Sequence, residues 1–157
     1  MVKDVILILM LLIVKYTFGQ NFEYQGTYKL GTTTRNGRTG IIYIYPKSHD
    51  ILLFYLELNR GAPSYNSGAI IGKMNMYSRG KAEFTMIEDD GTINCSMTFS
   101  FTNDSLYIHT NNQGYDCGYG YGVYSDGNFK RIDQKKPPFF INREGRKIWF
   151  KDLNWKD

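Results

Sequence analysis

Between Ile93 and Phe101 the chain reads INCSMTFSF, so that Ile93, Cys95, Met97, Phe99 and Phe101 alternate strictly with Asn94, Ser96, Thr98 and Ser100. A β-strand sends successive side chains to opposite faces, and only a strand can give this stretch one buried face and one wet face. The same period of two recurs in residues 81–86, with Ala82, Phe84 and Met86 inward, and in residues 106–109, with Leu106 and Ile108 inward. Two other runs, 41–45 (IIYIY) and 51–58 (ILLFYLEL), are apolar on both faces. Such runs suit strands in the middle of a sheet, or strands whose outer face another piece of chain covers. Residues 24–30 and 69–76 carry weaker strand patterns.

Turn chemistry separates these runs: Asn36-Gly37, Arg60-Gly61-Ala62-Pro63, Ser78-Arg79-Gly80, Asp90-Gly91, Asn103-Asp104 and Asp126-Gly127. A spacing of roughly ten residues is that of an antiparallel meander, and no stretch of residues 20–157 sustains a helical period. The expected fold is all-β, a single antiparallel barrel or closed sandwich of about eight strands. Gly26-Thr27-Tyr28-Lys29 near the start and Gly127-Asn128-Phe129-Lys130 near the end share a small, polar, aromatic, basic pattern. Two such strands pairing side by side would close the sheet and remove its edges.

The chain has 157 residues, a length that fits one folded unit with a single core. Lys3 followed by ten apolar residues at 5–14 (VILILMLLIV), then Thr17 and Gly19, reads as a signal peptide over residues 1–19, cleaved before Gln20. Ten apolar residues fall short of the roughly 20 of a membrane-spanning helix, so no membrane span is expected. The body, 20–133, is the expected barrel domain, and 134–157 an extension that leaves it at QKKPP. That extension reads as a C-terminal hairpin bearing Phe139, Phe140, Trp149 and Phe150. A hairpin alone is marginal in water, so its aromatics are expected to dock on the barrel, the alternative being an exposed patch for a partner.

Export places the chain in a secreted or periplasmic compartment, where Cys95 and Cys117 are best read as one disulfide. With only His49 and His109 besides the two cysteines, no zinc spacing exists, and neither metal nor other cofactor is expected. A net charge of +4 is too mild for nucleic acid, which calls for a concentrated basic stripe. Asp89-Asp90 reads as a turn before Gly91. The GYGYG run at 118–122 lacks the following helix that a phosphate-cradling loop needs. The chain is therefore read as non-enzymatic.

The unusual feature is a tyrosine-rich loop, residues 114–124 (GYDCGYGYGVY), tethered at Cys117. Tyrosine offers wide amphipathic contact with few rotatable bonds, so Tyr115, Tyr119, Tyr121 and Tyr124 are candidate contacts to a protein partner. The alternative has these rings cover one end of the barrel. Residues 60–68 (RGAPSYNSG), with Tyr65, form a second candidate rim.

Cys95-x-Met97-x-Phe99-x-Phe101, then Asp116-Cys117-Gly118-Tyr119-Gly120 and Gly122-Val123-Tyr124-x-Asp126-Gly127-x-Phe129-Lys130, resembles a group of small exported bacterial proteins, largely uncharacterised. The resemblance covers roughly residues 61–131. It implies a signal peptide, a compact antiparallel barrel and one disulfide, an architecture similar to that of periplasmic lysozyme inhibitors. No inhibitory motif of theirs can be placed residue by residue. The leading expectation is a secreted or periplasmic binding protein, in one form an inhibitor of a cell-wall hydrolase, acting through barrel-end loops. The alternatives are a lipocalin-like carrier of a small apolar ligand, which requires a hollow interior, and an enzyme with an unfamiliar site using Asp116, His109 or tyrosine.

Overall fold

Eight strands run up and down in sequence order: β1 (Gly26–Leu30), β2 (Thr39–Pro46), β3 (Ile51–Asn59), β4 (Ser67–Ser78), β5 (Lys81–Ile87), β6 (Ile93–Phe101), β7 (Ser105–Thr110) and β8 (Gly127–Asp133). All neighbours are antiparallel, and β1 pairs with β8 to close the barrel. The computed structural model describes residues 24–33, 37–89, 91–111 and 117–155. The signal-peptide reading of residues 1–19 lies outside them. Among the described residues no helix is long and apolar enough to cross a membrane.

The strands that carry the two matching patterns do close the barrel, but the patterns themselves overlap only where Lys29 faces Lys130: Tyr28 faces Arg131 and Thr27 faces Asp133, beyond the second pattern. Arg131 reinforces the seam by donating to the carbonyls of Gln25 and Asn103, with its guanidinium 5.4 Å from the Tyr28 ring centre.

Alternation delivers one side chain in two to the interior, where Tyr28, Ile42, Phe54, Leu56, Met97, Phe99, Leu106 and Phe129 all lie buried in one cluster. An eight-stranded barrel is just wide enough for such side chains to fill. Glycines show how closely they do so. A methyl group on Gly72 would come within 2.6 Å of both the Phe54 and Phe84 rings, and one on Gly40 within 2.8 Å of Leu58 and Phe129. Both glycines sit at inward positions because the opposing rings occupy the space of a side chain. Burial of Tyr28 pushes its hydroxyl pKa up to about 12.

One inward expectation fails. Ile93 is 55 % exposed, because a register shift between Met86 and Ile87 pairs it with Ile87 at the strand end, past the point where alternation reaches the core. Cys95, two residues on, is inward and bonded to Cys117 across 22 positions of sequence, with an S–S distance of 2.01 Å.

A second, smaller core lies outside the barrel. After β8, strands β9 (Phe139–Ile141) and β10 (Lys147–Trp149) form a separate antiparallel hairpin, ending in a 3-10 turn at Phe150–Asp152. Phe140 stacks on Tyr55 at 4.1 Å, and Phe150 stacks on Tyr45 at 5.2 Å. Leu53 and Tyr55, on the outer face of β3, are thereby buried. The doubly apolar β2 and β3 are explained: one face fills the barrel, and the hairpin covers the other.

Candidate functional site: the loops at one end of the barrel

In an up-and-down barrel, the β1–β2, β3–β4, β5–β6 and β7–β8 connections all leave at the same end. Two of these carry the candidate tyrosines. The β3–β4 loop is closed by Arg60 N–H donating to the Asn66 carbonyl at 2.8 Å and Tyr65 N–H to the Gly61 carbonyl at 2.8 Å. Gly61 N–H also donates to the Asn59 side chain at 2.8 Å. Tyr65 is held at φ +52°, the left-handed region that a bulky residue occupies only when its surroundings impose it.

The β7–β8 connection folds onto this loop. Gly120 N–H donates to the Ser67 carbonyl at 3.2 Å, and Asn66 Nδ2 donates to the Tyr121 carbonyl at 2.7 Å. The Arg60 guanidinium lies 5.9 Å from the Tyr121 ring centre, and a methyl on Gly122 (φ +71°) would meet it at 2.6 Å. Gly122 is therefore required twice, by its backbone angle and by the close passage of Arg60. Arg38 reaches from the β1–β2 side to donate to the Tyr124 carbonyl at 3.3 Å.

The five candidate tyrosines divide. Tyr121 is 81 % exposed, and Tyr65 and Tyr124 are also exposed, so these three stand at the rim. Tyr119 follows the alternative reading and covers the barrel end. Its ring packs on Gly68, where a methyl would meet it at 2.5 Å, and its hydroxyl lies 3.8 Å from Met97 Sδ. Burial pushes the Tyr119 hydroxyl pKa well above the ordinary value. Tyr115 lies outside the described residues, as does Asp116.

Reading Asp126-Gly127 only as a turn missed a polar cluster. Asp126 Oδ1 accepts from Thr110 N–H at 3.2 Å and lies 3.0 Å from His109 Nδ1, while its Oδ2 accepts from the Thr110 hydroxyl at 2.7 Å. Burial alone raises the Asp126 carboxyl pKa, but the Thr110 hydroxyl and amide and His109 together hold it below the ordinary value. Ser125, 1 % exposed, has its hydroxyl 2.7 Å from that of Thr110. The cluster pins the end of β7 to the start of β8, and its serine is enclosed rather than presented to solvent. His109 is paired here; His49 lies beside Asp50 at 2.6 Å in the turn at the opposite end. Among the described residues no group of three or more His, Cys, Asp or Glu is arranged to hold a metal.

A carboxyl with a lowered pKa stabilises the fold above its unfolded-state value and ceases to do so as pH falls through the folded value. Asp126→Asn is therefore expected to lower the urea midpoint at pH 7 and to show a smaller deficit at about pH 3, below the ordinary carboxyl value. A deficit of equal size at both pH values would show that the carboxylate charge is not what holds the cluster.

No family model, curated protein or solved structure matches this chain.

Proposed function

We propose that this is a secreted or periplasmic, non-enzymatic binding protein that presents its barrel-end loops to a protein partner. The observation that carries the reading is Tyr121. A large ring 81 % exposed stands on a backbone fixed by two hydrogen bonds to the neighbouring loop, with Arg60 against it and Tyr65 on the adjoining turn. Rigid exposed tyrosines beside arginine are the side chains that anchor interfaces, since ordering them on binding costs little. The disulfide at the root of the loop supports an oxidising compartment. The filled interior weighs against a carrier, because the inward glycines already have no room for a methyl group.

A cell-wall hydrolase is the first partner to test, because it shares the compartment. Immobilised protein should retain a partner from periplasmic or culture fluid, and should slow hydrolysis of purified cell walls by that enzyme. Tyr65→Ala together with Tyr121→Ala should weaken capture by about 30-fold or more, the loss of two anchors. Equal capture by wild type and double variant would sink the reading.

A further inference from the structure

Charge is distributed unevenly along the chain. Residues 24–133 carry ten basic and ten acidic side chains, whereas residues 134–155 carry six basic (Lys135, Lys136, Arg143, Arg146, Lys147, Lys151) against Glu144 and Asp152. The remaining residues balance, so the whole formal charge of +4 resides on the segment that forms the outer hairpin.

The hairpin has two faces. Phe140 and Ile148 pair across it and pack toward the barrel. Alternation sends Phe139, Ile141, Lys147 and Trp149 the other way. That outer face is open to solvent, with Ile141 47 % and Trp149 39 % exposed.

Two lysines gather around its rings: Lys147 Nζ lies 3.9 Å from the Phe139 ring centre and 4.6 Å from that of Trp149, and Lys151 Nζ lies 5.6 Å from Trp149. Beside the hairpin a third, Lys136 Nζ, lies 4.0 Å from the ring centre of Tyr45 on β2. Among the described residues these three ammonium groups have rings as partners and form no ion pair with a carboxylate. At the base of the hairpin Tyr45, Lys136, Pro138, Trp149 and Lys151 line a cleft of ≈ 250 Å³.

Cations without counter-charges call for an anionic partner, and the apolar side chains between them narrow its chemistry. A hydrated polyanion offers nothing to Ile141 and Phe139. A bilayer interface does: isoleucine and phenylalanine reach the acyl boundary, tryptophan rests at headgroup depth, and lysines meet the phosphates. The cleft between Lys136 and Lys151 suits one phosphate-bearing headgroup. We propose that the outer face of the hairpin docks this protein on the surface of an anionic phospholipid bilayer, without crossing it.

The test is co-sedimentation with vesicles of phosphatidylcholine alone and of phosphatidylcholine with about three parts in ten phosphatidylglycerol. Comparing variants of the same chain lets the apolar run at residues 5–14 contribute equally to every sample. Wild type should bind the anionic vesicles far more tightly than the neutral ones, and raised salt should weaken that preference. The triple variant Lys136→Gln, Lys147→Gln, Lys151→Gln should lose about 100-fold in affinity for the anionic vesicles, with its circular dichroism unchanged. Ile141→Ser with Trp149→Ser should lose affinity while keeping all the charge. Equal binding to the two vesicle types overturns the proposal. So does a triple variant that binds like wild type, or wild type captured by dextran sulfate but by neither vesicle.

Discussion

Phe54→Ala should lower the unfolding free energy by about 3–5 kcal/mol, the range for removing a fully enclosed aromatic ring. Phe54 has no solvent exposure, and its ring sits 5.2 Å from those of both Phe84 and Phe99. Across the strand pair it faces Gly72, whose missing side chain leaves the space the ring occupies. Closed strands resist moving inward, so the void should persist rather than collapse. Denaturant titration checks this through a lowered midpoint at unchanged slope. A loss below about 1 kcal/mol would mean that neighbouring side chains collapse into the space or that water fills it. Gly72→Ala should also destabilise, by about 1–3 kcal/mol, because its methyl would press on the Phe54 and Phe84 rings. In the Phe54→Ala background one of those two clashes is gone, so the two costs should not add.

Replacing Cys95 and Cys117 together by alanine should cost about 3 kcal/mol, the chain entropy recovered by an unfolded loop of this length. The bridge ties β6 to the root of the loop that carries Tyr119, Tyr121 and Tyr124. Its loss should therefore be felt twice. The thermal midpoint should fall by roughly 10 °C, and amide exchange at residues 118–124 should quicken more than in β2 and β3. Reductant added to wild type should reproduce both effects. Unchanged exchange in the loop would mean that its hydrogen bonds to Asn66 and Ser67 suffice to hold it.

What the residues announced in advance follows from how local each signal is. Alternation needs only neighbours, so Cys95, Met97, Phe99 and Phe101 could be placed inward without knowing what they touch. The doubly apolar 51–58 run fitted either a mid-sheet strand or a covered outer face, and the aromatic extension either a docked hairpin or an exposed patch; the stacking of Phe140 on Tyr55 decides both together. Ile93 misled because a register shift depends on the partner strand, where Met86 and Ile87 slip by one. Tyr119 was indistinguishable from Tyr121 by type and spacing. What separates them is Gly68, a third of the chain away, which leaves a socket for one ring and not the other. Asp126 looked like any turn-forming aspartate, and its bonds to Thr110 and His109 depend on β7 ending beside it.

Pairing of Thr27 with Asp133 makes the last strand of the ring the partner of the first. A chain delivered from its N-terminus presents β1 early, yet one flank of β1 stays unsatisfied until about a hundred further residues have followed. Through that interval the growing sheet offers an open margin to any other extended polypeptide nearby. A chain built this way gains from a chaperone that shields the waiting margin, and is exposed to misassembly wherever delivery stops short of its eighth strand.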